Sequence, residues 1–275
     1  MREPSASFLE RFLRHQDTER AKINHPYAGF TDPAARGSDV DSPPSLPPSF
    51  QERTVRVRLG SGKIIYEQGK KALLLWRMHD GSSWARIKLG RRLEGQDSQP
   101  NMVTVAKALG GLVWCVNPCR VLYEREDARF RFLAPPASEG EDYASRGWTK
   151  YSDGVKAPGN GGEEQGWLWN GEAPLTAPPW ARFSSGGDHM GKQTAVAYAT
   201  GEGHLIEGEE RMRVVWFGGR GGDDSVWFEV YSISRGAGCV GGILFPLVQS
   251  MQRRFFREQA ETIRRVVDES RDRAP

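Results

Sequence analysis

Apolar and polar residues alternate most regularly over Arg53–Leu59, where Val55, Val57 and Leu59 fall on one side and Arg56 and Arg58 on the other. A period of two predicts a strand with one buried face. Gly60-Ser61-Gly62 interrupts it, and Ser61 is placed to cap a following helix. Ile65, Gly69, Ala72, Leu73 and Trp76 then recur at helical spacing, with Lys63, Lys70 and Lys71 outside the stripe. Strand signals return at Trp84–Leu89, and Val103–Ala108 with Leu112–Val116 predicts a hairpin around Gly110-Gly111. Arg120–Glu124 and Phe130–Leu133 continue the series.

Beyond Leu133 the pattern stops. Ala134–Lys192 is rich in Gly, Pro, Ser and Trp and holds no period, which predicts an insertion, a lid or disorder. Its tryptophans (Trp148, Trp167, Trp169 and Trp180) argue that part of it folds back onto the body. Alternation resumes at Thr194–Thr200, Glu209–Phe217 and Val226–Ile233. In the second of these Glu210, Met212, Val214 and Trp216 share a face, opposite Arg211 and Arg213; in the third Glu229 shares a face with Trp227, Tyr231 and Ile233. Ile243–Val267 carries a stripe of Leu244, Val248, Met251, Phe255, Thr262 and Val266. It predicts one helix about 36 Å long, with Pro246 in its first turn. Ser5–Lys22 predicts a short amphipathic helix through Phe8, Leu9, Phe12 and Leu13.

The order is strand, helix, several strands, then a long terminal helix. No helix separates the later strands, which argues against a parallel βαβ sheet. The predicted class is α+β: a curved antiparallel sheet gripping a long C-terminal helix, helix-grip-like, with a long loop insertion. The expected organisation is an N-terminal helix over residues 1–22, one domain over 23–270 interrupted by 134–192, and a tail at 271–275.

Charge and composition narrow the classes. Lys+Arg 38 against Asp+Glu 35 leaves only +3, too little excess for a nucleic-acid binder, and the Arg-rich stretches read as solvated faces. No apolar run approaches the roughly 20 residues that span a bilayer. The N-terminus shows no apolar signal-peptide region, and Cys115, Cys119 and Cys239 form an odd set. The expectation is a cytoplasmic or other reducing compartment rather than secretion.

Several segments together resemble one known family. They are Leu59-Gly60-Ser61-Gly62 running into Tyr66–Leu73 and Trp76, Asn117-Pro118-Cys119-Arg120-Val121-Leu122-Tyr123, Tyr198–His204 with Glu207–Glu210, and Val226–Arg235 leading into Pro246–Gln249 and Gln252–Phe255. Asn24-His25-Pro26 and Gly29-Phe30-Thr31 fit the opening. On these the chain resembles the family catalogued as domain of unknown function 1990, an uncharacterised family of plants, algae and bacteria. The resemblance spans about Asn24 to Val267, departs at the long insertion, and implies no reaction. The element order also resembles the START and birch-pollen-allergen superfamily, whose folds hold an apolar ligand between sheet and helix.

Candidate chemistry is sparse. Gly60-Ser61-Gly62-Lys63 lacks phosphate-loop spacing and reads as a turn. Cys115 and Cys119 have no second ligand pair for zinc, so no metal or cofactor is assigned. His204 with Glu209 and Glu210 forms the candidate acid–base cluster, because an inward carboxyl among apolar groups has a raised pKa. The alternative is a polar turn with Glu210 bonded to an Arg or a Tyr. Glu229 is expected to pair with Arg235 or Arg253. Tyr123, Tyr198, His204, Glu210, Trp216, Trp227, Glu229, Arg235 and Phe255 are the candidate ligand-binding residues; the aromatics among them equally fit a solid core. Three functions follow. The first is a binding module for a small hydrophobic or amphipathic, lipid-like molecule. The second is an enzyme acting on it through His204 and Glu209 or Glu210. The third, ranked last, is a membrane-associated pore.

Overall fold

Every strand pair among the described residues is antiparallel, as expected of strands joined without intervening helices. The computed structural model describes residues 3–18, 22–32, 47–90, 100–108, 113–132, 148–151, 166–169, 189–218 and 224–272. Seven strands form one sheet in the order β1-β9-β8-β7-β4-β3-β2. They are β1 (Gln51–Ser61), β2 (Ala85–Leu89), β3 (Asn101–Ala108), β4 (Val113–Phe132), β7 (His189–Thr200), β8 (Ile206–Trp216) and β9 (Ser225–Gly236). β1 and β2 are its two edges, so the sheet stays open. A separate pair, β5 (Trp148–Tyr151) and β6 (Gly166–Trp169), lies within the expected insertion, and β7 takes up that stretch's last residues.

Among the described residues three α-helices complete the fold: α1 (Ala6–Thr18), α2 (Lys63–Leu74) and α3 (Gly238–Asp272). α2 and α3 cover one face, here the inner face. Tyr66 and Leu73 of α2, with Phe256, Ile263 and Val267 of α3, are fully buried against Met212, Val214, Phe228 and Val230. Each such large side chain contributes about 1.5–3 kcal/mol through burial. Gly69 lets α2 approach closely, since a Cβ there would stand 3.0 Å from Leu59 and 3.1 Å from Val214. On the outer face α1 packs Leu13 onto Val103 and Val105 of β3.

The α+β class, the antiparallel curved sheet and the long C-terminal helix are as the periodicity requires, and the arrangement is helix-grip-like. Several details differ. Ser61 does not cap α2: Gly62 is the N-cap without a side-chain bond, and Ser61 Oγ accepts from Arg58. Trp76 lies past the end of α2, in a left-handed conformation. The three short strands expected after Gly111 are one 20-residue strand, β4, whose register slips at Val121/Tyr123 and Arg125/Ala128. α3 starts five residues early, so Pro246 lies inside it rather than in its first turn. Leu244 is exposed, as are Ile243 and Leu247, because the first turns of α3 overhang the end of the core. Arg211 and Arg213 are not a solvated face; both are buried.

Candidate functional site

The sheet's inner face changes character along its strands. In the middle it is apolar, through Val121, Met212, Val214, Phe228 and Val230. Toward one end the same face carries Thr104, Asn117, Thr200, Glu210, Ser232 and Ser234. Val248, Met251 and Phe255 of α3, with Trp84 ahead of β2, stand opposite this polar floor. Between floor and roof is a partly open cavity of about 120 Å³ that His204 helps line. Gly208 helps shape it, since a Cβ there would come within 2.4 Å of the Ile233 carbonyl.

Glu210 is the charged group of this floor. It is 7% exposed, and its carboxylate accepts from Tyr198 Oη at 2.7 Å and from Gln259 Nε2 at 2.9 Å. Desolvation pushes its pKa up to about 7, against the lowering effect of those two donors. No lysine or arginine lines the cavity among the described residues. His204 sits at the rim, and its Nδ1 accepts from the Ile206 amide at 3.1 Å, which places the neutral ring's proton on Nε2. Burial drives its pKa down to about 4, so it is neutral at pH 7. Behind Phe255, His79 stacks between Trp76 and Phe255 at ring distances of 6.0 and 5.4 Å. Burial holds it neutral, with a pKa of about 3, and neither ring nitrogen has a partner among the described residues.

Glu209 points the other way. Its carboxylate receives the Gly29 amide at 2.8 Å, the Thr31 amide at 2.9 Å and the Thr31 hydroxyl. It therefore fastens the 22–32 segment to the outer face, with its carboxylate turned away from His204 toward Gly29 and Thr31. Burial raises its pKa, and the Thr31 and Gly29 donors oppose the rise. The outer face also holds Glu229. Arg235 and Arg253 do not neutralise it; Arg56, Arg211 and Arg213 do, the last two through Nη2 atoms at 2.9 Å. Burial works to raise its pKa, but the three guanidiniums outweigh that and hold it well below the usual carboxylate range. Arg213, 1% exposed, is itself lowered to about 9 by burial.

Of the expected ligand-binding residues, Tyr198, His204, Glu210 and Phe255 meet at the cavity. The others do not. Tyr123 bonds Thr31 on the outer face at 3.0 Å, and Trp227 donates to Ser225 Oγ. Trp216 stacks on Tyr66 and bonds Asp224 at the far end of the inner face. Glu229 is enclosed by arginines, and Arg235 is paired to Glu207. Asn117, Ser232, Ser234, Met251 and Gln252 line the cavity although they were not among the expected ligand-binding residues. Ser232 and Ser234 carry a legible signal, because they continue the inward alternation of Phe228 and Val230 with small polar side chains.

A model of the family described as Domain of unknown function (DUF1990) matches residues 35–148 and 187–262. Every strand of the seven-stranded sheet and every residue lining the cavity falls within those two blocks. The stretch between them contains β6 and most of the expected insertion. The chain is also similar to the UPF0548 protein At2g17695 of Arabidopsis thaliana, at 24% identity over 215 residues that cover 78% of this chain and 72% of that protein.

Proposed function

The chain belongs to the DUF1990 family, a domain of unknown function, and from that premise we propose that it is a binding module that grips a small amphipathic molecule between sheet and α3. One observation carries the reading. Glu210 is a buried carboxyl with no cation beside it among the described residues, at the polar floor of a cavity whose roof is apolar. Such a group costs stability unless a ligand uses it. The partly open volume of about 120 Å³ is of the size that holds a single small ring, so a lipid-like ligand keeps its tail outside the cavity. The helix-grip element order supports the same reading by analogy with START-like folds. An open sheet with buried arginines on its outer face gives no support to a pore.

Native mass spectrometry of the purified full chain tests this. The wild type is expected to carry a non-covalent mass that Glu210→Gln loses while its thermal melt is unchanged or raised. A variant that is clearly destabilised yet keeps the ligand removes Glu210 as the site.

A second reading rests on His204 and Glu210 sharing one cavity with pKa values moved in opposite directions, to about 4 and about 7. That separation suits a base and an acid in a proton transfer on the bound molecule. It shares the cavity with the first reading and differs from it in requiring that His204→Ala abolish turnover of the ligand without releasing it.

A further inference from the structure

We propose that the cavity selects amphipathic amines, with the ammonium against Glu210 and the apolar part against α3. The inference rests on the cavity being a binding site and adds which charge that site accepts.

Three observations on Glu210 and its surroundings carry it. Two glutamates touch the cavity, but the Glu209 carboxylate is spent on Gly29 and Thr31 across the sheet, so Glu210 alone presents a charge. Tyr198 and Gln259 give it one donor each, and a carboxylate has about four acceptor positions. Gln259, 1% exposed, turns its Nε2 toward Glu210 and leaves its Oε1 buried with no partner among the described residues. Among the described residues Glu210 and Gln259 thus keep more acceptor positions than the donors that reach them. An ammonium brings three N–H donors and the missing positive charge. The rings of Trp84, Tyr198 and Phe255 at the same cavity suit a cation, which aromatic faces attract.

An anionic ligand meets the opposite situation. A carboxylate or phosphate head would be buried beside Glu210 with no lysine or arginine lining the cavity to offset it. A neutral alcohol fits but supplies a single donor and no charge. The site therefore ranks amine above alcohol above acid. Because an ammonium favours the ionised carboxylate, amine binding strengthens as pH rises through the titration of Glu210 and fades below it.

Benzylamine, benzyl alcohol and benzoate share one ring and differ in the head, which makes them the probes. Calorimetric titration of the full chain at about pH 8 is expected to give benzylamine at least roughly tenfold tighter binding than either analogue. At about pH 5.5, where benzylamine is still an ammonium and Glu210 is protonated, that preference should collapse. Glu210→Gln should remove the preference at the higher pH while keeping the alcohol's affinity. Equal or tighter binding of the alcohol or of benzoate, or an amine preference that survives in Glu210→Gln, overturns the proposal and leaves the cavity as a binding site. If none of the three probes binds, the amine proposal falls. If native mass spectrometry also finds no retained molecule, the binding reading falls with it.

Discussion

Glu210 on β8 and Glu229 on β9 are both buried carboxylates on neighbouring strands of one sheet, 7% and 2% exposed, but they face opposite sides. On the outer side three guanidiniums enclose Glu229 and its acidity is strengthened. On the inner side, among the described residues, a phenol and an amide are all that hydrogen-bond to Glu210, and its acidity is weakened. The same residue type at similar depth is a structural tie in one place and an uncompensated charge in the other. Depth alone does not mark a site. What separates the two is whether the surroundings provide a counter-charge.

The largest test of this contrast removes the charge of Glu229. Glu229→Gln leaves Arg56, Arg211 and Arg213 together without their anion, and breaking a buried ion pair in this way costs about 3–5 kcal/mol. Urea unfolding at neutral pH should show that loss. A change under about 1 kcal/mol would mean the arginines are not held by Glu229. The pH sign follows from its depressed pKa. Its contribution is present above the ordinary carboxylate value and is lost as pH falls toward the folded value.

Glu210 should behave in the reverse sense. Its folded pKa, about 7, lies above the ordinary 4.5, so the folded state holds its proton more tightly than the unfolded chain. Stability from this group is complete below the ordinary value and is lost as pH rises through the folded value. The shift of roughly 2.5 pH units corresponds to at most about 3 kcal/mol. Glu210→Gln has no such titration. Its stability relative to wild type should therefore climb by up to that amount between about pH 4.5 and pH 8, in urea melts run side by side. A difference that stays flat across this range would place Glu210 with Glu229, as a satisfied structural group.

The contrast was half legible in the sequence. Alternation alone put Glu210 with Met212 and Val214, and Glu229 with Tyr231 and Ile233, and the registers of β8 and β9 agree. The partners were not legible, because Arg56, Arg211 and Arg213 reach Glu229 only once β1 and β8 pair on either side of β9. An Arg at every second position reads equally as a wet face or a buried ladder; the pairing decides. β4 read as three strands because its bulges break the period, and because Pro118 suggests a break. That proline is tolerated where the β4–β7 pairing has already ended, at Cys119 with Thr200. The early start of α3 was hidden because Gly238, Gly241 and Gly242 interrupt any apolar stripe ahead of Ile243. The cavity itself was not foreseen at Trp84 or Asn117, which come from distant parts of the chain and meet only in the folded sheet.

The smallest expected effect is the most discriminating. Tyr198→Phe removes the hydroxyl that donates to Glu210 at 2.7 Å and keeps the ring that packs beside Trp76 at 6.3 Å. When Glu210 is ionised the lost bond is charge-assisted, and its removal should cost about 1.5–2 kcal/mol. When Glu210 is protonated the bond is neutral and its loss should cost about 0.5–1 kcal/mol. Urea unfolding of the variant at about pH 8 and about pH 5 should therefore show a larger deficit at the higher value. The carboxyl titration of Glu210, followed by carbon-13 NMR, should move upward by the same difference, because one of its two stabilising donors has gone. An equal cost at both pH values would show that the hydroxyl does not respond to the charge on Glu210. A cost as large as that of Glu229→Gln would show that the inner face is tied as tightly as the outer one. Either result would erase the distinction between the two carboxylates on which the candidate site rests.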